Sequence, residues 1–307
     1  MFRGKVAVIG AGAVGSTTAY TIMCGGLFND IVLIDINKDK AEGDALDMAH
    51  GVSFVKPVNV SCGDYSDCID ADIVIITAGA PQNPGETRLS LVQRNVKILK
   101  SIVSSLMKYV PDDVIILVVS NPVDILTYIT QKLSGLPKNQ VIGSGTVLDT
   151  SRLKYILSRR LNIDARNCHT YIIGEHGDSE VPTWSLTNIA GIPITAFDGM
   201  NESAFEEMRH EVVRAAYDII EKKGATFYAI ALAVSRICAC IAGEENSILT
   251  VSAVLDGEYG IYGTALSVPV KLSGTGIDRI PEIEFAYDEL DGLYNSADTM
   301  KKIIEDL

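Results

Sequence analysis

In the first half of the chain, short apolar runs alternate with longer segments of mixed polarity. The apolar runs predict strands at KVAVIG (5–10), DIVLID (30–35), VNVSC (58–62), DIVIITA (72–78), VIILVVS (114–120) and QVIGSG (140–145). Several are continuously apolar, which is typical of parallel strands covered on both faces. The segments between them predict helices, including 13–27, 38–50, 88–109 and 122–134. This alternation indicates an α/β fold with a doubly wound parallel sheet.

The pattern changes after residue 145. A helix predicted at 149–161 leads into CHTYIIGEHGD (168–178), which predicts a strand that ends in a glycine-flanked turn. A long amphipathic helix follows, with Ser203 and Glu206 at capping-box spacing and Gly224 just past its end. The runs SILTVSAVL (247–255) and ALSVPVKL (265–272) predict two more strands, and a final helix ends near Leu307. The sequence therefore predicts two tightly packed domains, residues 1–145 with the parallel sheet and residues 146–307 with an α+β arrangement.

A glycine turn joins the first predicted strand to the first predicted helix, with Gly10, Gly12 and Gly15 in GxGxxG spacing. Such glycines permit a tight turn, a close approach of the backbone to a pyrophosphate, and close packing of helix on strand. The second strand ends in Asp35, whose carboxylate can accept hydrogen bonds from an adenosine ribose and would repel a 2′-phosphate. The spacing therefore predicts a dinucleotide site that favours NAD over NADP.

Composition and charge exclude several other classes of protein. The chain is 47% hydrophobic and has a formal net charge of −13, which disfavours nucleic acid or an anionic membrane as a partner. No run approaches the ~18 apolar residues of a membrane span, and MFRGKVAVIG at the start does not resemble a cleavable leader. The six cysteines show neither CxxC pairs nor metal-ligand spacing. We therefore expect a cytoplasmic protein without a metal site.

Among the four histidines, His176 is the strongest candidate for chemistry. It follows an apolar run in IIGEHGDS (172–179), and an imidazole on a glycine turn can donate a proton near neutral pH. Asp149 and Arg152 share one face at the start of a helix. Taken alone, that Asp could be a helix cap and the pair a surface ion pair. Asn121, after a predicted strand, and Arg88 lie at the sheet edge where ligands bind.

Six motifs, taken together, resemble the lactate/malate dehydrogenase family. They are GAGAVG (10–15), GETRLSLVQRN (85–95), VSNPVD (119–124), VLDTSR (147–152), GEHGDS (174–179) and KGATFYAIA (223–231). They occur in family order and span nearly the whole chain. The resemblance implies an N-terminal Rossmann domain, a C-terminal catalytic domain, and hydride transfer between NADH and a 2-oxo acid.

The resemblance also implies a role for each candidate side chain. His176 would exchange a proton with the substrate oxygen, and Asp149 would orient its ring and stabilise the imidazolium. Arg152 would bind the substrate carboxylate as a bidentate fork, while Arg88 would polarise the carbonyl group. Asn121 would bond the same carbonyl oxygen or the nicotinamide amide, and Thr226 would border substrate and nicotinamide. The implied cofactor contacts are Gly10, Gly12, Ala13, Val14, Gly15, Asp35, Lys40, Tyr65, Gly79, Ala80, Asn121, Ser144 and Ile230; of these, Lys40 and Tyr65 could instead be ordinary surface residues.

Gln82 bears on the choice of substrate. It matches the position at which malate dehydrogenases resembling this chain carry an arginine that pairs with the second carboxylate of oxaloacetate. A neutral amide leaves that carboxylate unpaired, and burying an unpaired charge is costly. We therefore predict pyruvate and L-lactate as substrates. The alternatives are a malate or other 2-hydroxy-acid dehydrogenase, an NAD-dependent glycosidase, and a non-catalytic NAD-binding protein.

A regulatory site is also implied. Many bacterial lactate dehydrogenases are activated by fructose 1,6-bisphosphate, which binds to an Arg and a His across a subunit interface. His169 matches the His, but Lys154 occupies the Arg position and can bind phosphate only as a point charge. The alternative is that His169 simply begins a strand and Lys154 is a solvated helix residue. The resemblance further implies a homotetramer.

Overall fold

The computed structural model describes residues 3–81, 88–243 and 245–307. Its strands are β1 (Lys5–Ile9), β2 (Asp30–Ile34), β3 (Asn59–Cys62), β4 (Ile73–Ile76), β5 (Ile115–Val118), β6 (Val141–Gly143), β7 (Cys168–His169), β8 (Ile172–Ile173), β9 (Val181–Pro182), β10 (Asn188–Ile189), β11 (Ile192–Pro193), β12 (Ile248–Asp256), β13 (Tyr262–Ser273) and β14 (Gly276–Arg279). Its α-helices are α1 (Ala13–Gly25), α2 (Lys38–His50), α3 (Arg88–Leu106), α4 (Val123–Ser134), α5 (Val147–Leu161), α6 (Glu202–Lys223), α7 (Tyr228–Ile241) and α8 (Tyr287–Glu305).

One large sheet organises the molecule. Across the described residues, nine strands pair in the order β14-β13-β12-β6-β5-β4-β1-β2-β3. The six strands from β6 to β3 run parallel, as the sequence predicts. The chain order reverses between the neighbours β1 and β4, and doubly wound sheets bind ligands at such a switch point.

The parallel strands form the centre of the core because they are apolar along their length. Every residue of β4 and β5 is buried, as continuously apolar strands covered on both faces should be. The helices predicted in the first half are confirmed as α1, α2, α3 and α4, with α1 and α3 ending a little earlier than predicted. The α/β fold class is therefore the one that the pattern predicts.

The sheet continues beyond the parallel strands. The predicted domain boundary after residue 145 falls between β6 and α5. Nevertheless, β12 pairs with β6 in antiparallel fashion, with Ser252 opposite Gly143 and Ala253 opposite Ile142. The two halves of the chain are therefore joined by backbone hydrogen bonds through a shared sheet.

Three local features of the second half differ from the pattern. The single strand predicted in CHTYIIGEHGD is two short strands in separate sheets, with β7 paired to β10 and β8 to β9. The helix α6 is capped by Asn201, whose side chain accepts from the Ala204 N–H. The predicted capping box is wrong, because Glu206 instead pairs with Arg209. The edge strand β14 is too short and too polar to stand out in the sequence.

Two expectations for the helices can be compared with the structure directly. Gly224 ends α6 with a φ of 86°, a left-handed conformation that glycine adopts without steric penalty. Among the described residues, no helix combines the length and the apolar character that crossing a bilayer requires.

Asp72 anchors the start of β1 to the sheet. Its carboxylate is 7% exposed and accepts backbone N–H bonds from Arg3 at 2.7 Å, Gly4 at 2.6 Å and Lys5 at 3.0 Å. The neighbouring Asp70 is exposed and pairs only with the Lys5 side chain among the described contacts. One acid therefore satisfies buried donors, while the other forms a surface ion pair.

We expect Asp72→Ala to lower the free energy of unfolding by about 2–4 kcal/mol, because three partly buried N–H groups lose their acceptor. Asp70→Ala is the matched control and should change it by less than about 1 kcal/mol, as exposed ion pairs contribute little. Urea denaturation followed by circular dichroism measures both variants. Equal losses in the two would contradict this role for Asp72.

Candidate active site

The glycine turn after β1 brings three backbone segments into close contact. Gly10 has a φ of 104°, and a Cβ there would lie 2.6 Å from the Ala78 nitrogen. At Gly15 a Cβ would lie 1.8 Å from the Gly10 carbonyl oxygen, so α1 can pack this closely only with glycine. At Gly12, by contrast, no described atom lies within 4 Å of an added Cβ. The turn is thus closed towards the sheet and open at Gly12, where α1 begins.

The open side of the turn suits a dinucleotide. No described side chain caps α1, so its first N–H groups can bind phosphate at the positive end of the helix dipole. Asp35, at the end of β2, is held in place because it accepts from the Ala11 N–H at 2.6 Å and the Asn37 N–H at 2.8 Å. Lys40 donates to the Ala11 carbonyl and pairs with Asp44, so it contacts the turn directly.

The ends of β4 and β5 are linked by an amide that the sequence analysis did not single out. Asn95 on α3 is 4% exposed; it accepts from the Ala80 N–H at 2.8 Å and donates to the Asn121 carbonyl at 3.0 Å. Gly79 packs beside Asn95, with 3.6 Å from a built Cβ to Oδ1. Asn95 therefore fixes Gly79, Ala80 and Asn121 at one edge of the sheet. The only sign of Asn95 in the sequence is its position among the apolar residues Val92, Val96 and Leu99 of the predicted helix.

The remaining predicted cofactor and substrate residues are distributed around this edge. Ser144 is buried directly after β6. Val14, Tyr65 and Ile230 are half-buried and pack against the main core, which makes Tyr65 more than a surface residue. Ala13 is exposed at the start of α1, and Thr226 is half-buried between α6 and α7. The helix α7, which carries Ile230, packs against α1.

Asp149 connects the two strongest catalytic candidates. Its side chain is 2% exposed; one oxygen lies 2.5 Å from His176 Nδ1 and the other accepts from Arg152 Nη1 at 2.7 Å. Burial by itself would raise the pKa of Asp149, but the charges and hydrogen bonds of His176 and Arg152 outweigh it and lower the pKa. Asp149 is therefore an anion shared by two cationic groups, rather than a simple helix cap.

Hydrogen bonds from distant segments fix Asp149 opposite His176. The Thr150 hydroxyl accepts from the Ile172 N–H at 3.0 Å, which ties the first turn of α5 to β8. Gly174 and Ser267 exchange two backbone hydrogen bonds of 2.9 Å, which tie the histidine turn to β13. Asp149 is therefore held through β8, and the histidine turn through β13 of the large sheet.

Asp124, at the start of α4, also holds the histidine turn. It is 2% exposed and accepts from the His176 N–H at 2.8 Å and the Ser252 hydroxyl at 2.6 Å. Burial raises the pKa of Asp124 to about 6. In the sequence, Asp124 stands out only as the last residue of the VSNPVD motif, because its burial depends on contacts with distant segments.

The surroundings of His176 favour its protonated form. Burial would lower the pKa of the imidazole, but the Asp149 charge and hydrogen bond raise it to about 9. Asp149, His176 and Glu180 each place one ligand-type atom within 4.8 Å of the others. Since Arg152 already pairs with Asp149 and the raised pKa of His176 favours a cationic ring, this cluster is poorly suited to a divalent cation.

Two of the predicted site residues fall outside what the structure describes. Gln82 lies outside the described residues, and so does the side chain of Arg88, whose backbone begins α3. The predicted roles of Gln82 in substrate choice and of Arg88 in carbonyl polarisation therefore stay predictions.

Lys154 and His169 border the same surface cavity. It has a volume of about 750 Å³ and is also lined by Arg166 and Arg236. Burial, followed by the Arg236 charge, lowers the pKa of Lys154. Lys154 is therefore half-buried in a basic cavity rather than fully solvated.

Comparisons with known proteins agree with this geometry. Residues 4–143 match the family model for the lactate/malate dehydrogenase NAD binding domain, and residues 146–307 match that for the alpha/beta C-terminal domain. The chain is 56% identical over 308 residues to an L-lactate dehydrogenase of a Thermoanaerobacter strain, with 99% of both chains covered. It is 55% identical over 311 residues to L-lactate dehydrogenase 1 of Clostridium acetobutylicum, with 99% of this chain and 98% of the relative covered.

Two solved structures with a fold similar to that of this chain are also lactate dehydrogenases. A lactate dehydrogenase from a Medee basin deep-sea metagenome library superposes with a TM-score of 0.96 at 42% identity, covering 100% of this chain and 99% of that one. The minor L-lactate dehydrogenase of Enterococcus mundtii, in a ligand-bound form, gives a TM-score of 0.95 at 40% identity, covering 99% and 98%.

We expect Asp149→Asn to lower the pKa of His176 from about 9 by at least about 2 units, because the imidazolium loses its buried counter-charge. Carbon-13 NMR of labelled histidine Cε1 can follow all four imidazoles through a pH titration. Asp113→Asn, which alters an exposed pair with Arg3, should leave all four titrations in place. An unshifted His176 in Asp149→Asn would show that another group sets its protonation.

Proposed function

The chain belongs to the lactate/malate dehydrogenase family, and on that basis we propose that it is an NAD-dependent L-lactate dehydrogenase. It would interconvert pyruvate, NADH and a proton with (S)-lactate and NAD⁺. The observation that carries the proposal is the buried Asp149 carboxylate that joins His176 to Arg152. Full-length relatives at 52–56% identity bear the name L-lactate dehydrogenase. The reaction would regenerate NAD⁺ for glycolysis and fermentation.

NAD is the cofactor that the residues present accommodate. The open backbone at Gly12 and the uncapped first turn of α1 suit a pyrophosphate. The Asp35 carboxylate suits a ribose with free hydroxyl groups. When bound, the reduced nicotinamide supplies the hydride for the carbonyl carbon; the protein supplies the proton and orients the substrate.

His176 is the proposed acid and base. Because Nδ1 is bonded to Asp149, Nε2 is the nitrogen that can exchange a proton with the substrate oxygen. In pyruvate reduction the imidazolium donates its proton from Nε2, and in lactate oxidation the neutral ring accepts the hydroxyl proton. Asp149 keeps the tautomer and orientation fixed in both directions.

Arg152 and Arg88 are the proposed anion-stabilising groups. Arg152 is 13% exposed, and one of its nitrogens donates to Asp149, so this bond fixes the guanidinium within the site. Its remaining donors would bind the substrate carboxylate as a fork. Arg88 would stabilise negative charge that develops on the carbonyl oxygen, with Asn121 and Thr226 bordering the substrate.

Gln82 supports pyruvate over oxaloacetate. Its amide carries no charge, so the second carboxylate of oxaloacetate would be buried without a cationic partner there. The alternatives are weaker: a glycosidase of the NAD-dependent group needs Cys and His metal ligands, and the buried cluster at His176 contains no cysteine. A silent NAD-binding protein would not require the charges of Asp149, His176 and Arg152 to be matched at the edge of the nucleotide site.

The proposal also covers activation by fructose 1,6-bisphosphate, assembly as a homotetramer and a cytoplasmic location. The four basic side chains around the 750 Å³ cavity, Lys154, His169, Arg166 and Arg236, support fructose 1,6-bisphosphate binding despite the lysine. In the homotetramer that we propose, the sugar bisphosphate would bind across a subunit interface. A cytoplasmic location is supported by the cysteines, all six of which are free thiols.

Activity with two 2-oxo acids tests the substrate. NADH absorbance should fall rapidly with pyruvate and much more slowly with oxaloacetate. Gln82→Arg should raise kcat/KM for oxaloacetate and lower it for pyruvate, changing their ratio by at least about 100-fold, since the arginine would pair with the second carboxylate of oxaloacetate and have no partner on the methyl group of pyruvate. Gln82→Asn, which adds no charge, is the matched control. An unchanged ratio in Gln82→Arg would remove this position from substrate choice.

Regulation is tested by pyruvate saturation curves with and without fructose 1,6-bisphosphate. We expect the sugar bisphosphate to lower the KM for pyruvate and Lys154→Ala to weaken this effect by about 10-fold or more, because a charge-assisted phosphate contact is lost. Lys132→Ala, on α4 and away from the cavity lining, should retain the response. Overlapping wild-type curves would end the activation hypothesis.

A further inference from the structure

Glu180 is a buried acid that the proposed mechanism does not use. It follows the histidine turn, immediately before β9, and is 4% exposed. Its Oε1 atom is buried and has no hydrogen-bond partner among the described residues. An acid in this position requires an explanation, because an unpaired carboxylate in the protein interior is strongly disfavoured.

Glu180 lies against the catalytic pair. One of its side-chain oxygens, a ring nitrogen of His176 and a carboxylate oxygen of Asp149 all lie within 4.8 Å of one another. Two acids and three bases determine the charge here: Asp149 and Arg152 from α5, Arg209 from α6, Asp124 from α4, and His176 itself. These groups decide which protonation state of Glu180 is stable.

The two arginines near Glu180 make their described hydrogen bonds to other acids. Arg152 donates to Asp149 at 2.7 Å, and Arg209 donates to both oxygens of Glu206 at 2.7 Å and 2.9 Å. An ionised Glu180 would place a second negative charge near Asp149, and its Oε1 atom has no donor among the described residues. Burial, reinforced by the Asp149 charge, raises the pKa of Glu180 to about 9.

We propose that Glu180 is a positioning residue that works as a neutral carboxylic acid, filling the space beside His176 and Asp149 without adding negative charge where an anionic substrate binds. Among the described residues, Asp149 is then the carboxylate that contacts the imidazole ring itself, whereas Asp124 contacts the backbone of His176. A substrate carboxylate that approaches Arg152 is then repelled by Asp149 but not also by Glu180. This role rests on the proposed lactate dehydrogenase activity, whereas the protonation of Glu180 does not.

The two protons of this cluster are thereby coupled. His176 and Glu180 lose their protons in the same range, near pH 9, so the loss belongs to the pair and occurs in two steps. The competent state for pyruvate reduction carries both protons. Above pH 9, the decline of kcat/KM for pyruvate should therefore follow the loss of two protons in the wild type. In Glu180→Gln, whose amide cannot ionise, the decline should follow the loss of one proton.

Carbon-13 NMR tests the proposal without catalysis. In wild-type protein labelled at glutamate Cδ, we expect one resonance to titrate near pH 9, while ordinary glutamates titrate near about 4.3; the alkaline resonance should be absent from Glu180→Gln. With labelled histidine Cε1, His176 should titrate in two coupled steps in the wild type and in one step in Glu180→Gln. Glu289→Gln, which changes another acid that is 3% exposed but bonded to Ser185, should keep the alkaline resonance and both steps.

The outcomes separate the two proposals. If every wild-type glutamate titrates in the ordinary range, Glu180 is a carboxylate and the proposal is wrong, whether or not the variant folds. If the pH profile and the His176 titration are identical in wild type and Glu180→Gln, Glu180 has no positioning role. Absence of pyruvate reduction would overturn the proposed function, and the two NMR titrations would still decide for or against Glu180.

Discussion

The hydrogen-bonded pair of Asp149 and His176 is the contact on which the site depends. A carboxylate that is 2% exposed would be unstable alone, because desolvation penalises a buried charge by several kcal/mol. The imidazolium on one oxygen and the Arg152 guanidinium on the other compensate for this penalty. In turn the carboxylate raises the pKa of His176 to about 9. Removal of Asp149, His176 or Arg152 would leave a buried charge on the remaining groups without its partner.

The shared sheet makes this pair possible. Asp149 and His176 are separated along the chain by most of α5 and two short strands, so no local rule brings them together. Their segments meet because β12 joins β6, and β13 then carries the Ser267 that holds Gly174. The C-terminal half therefore completes the site by extending the nucleotide-binding sheet. The glycine turn after β1 and the histidine turn held by β13 are therefore positioned by strands of the same sheet.

The sequence predicts those parts of the fold and site that depend on local pattern. The parallel strands, the tight backbone turn from Gly10 to Gly15, the family and the NAD cofactor are confirmed because they follow from periodicity or from motifs with fixed spacing. The helix cap at Asn201, the edge strand β14 and the link made by Asn95 were missed, because each is decided by packing between segments far apart. The individual catalytic roles stay predictions, including those of Gln82 and Arg88.

The three buried acids around His176 show why burial alone does not set protonation. Asp149, Asp124 and Glu180 are exposed by 2%, 2% and 4%, so desolvation acts on all of them in the same direction. They differ in their partners. Asp149 contacts two cationic groups and has a lowered pKa; Asp124 accepts from a hydroxyl and a backbone N–H and has a pKa of about 6. Glu180 has an oxygen without a donor and a pKa of about 9. Because a donor stabilises the ionised form more than the neutral form, the number and charge of the donors distinguish a fixed anion, an intermediate acid and a neutral acid within one cluster.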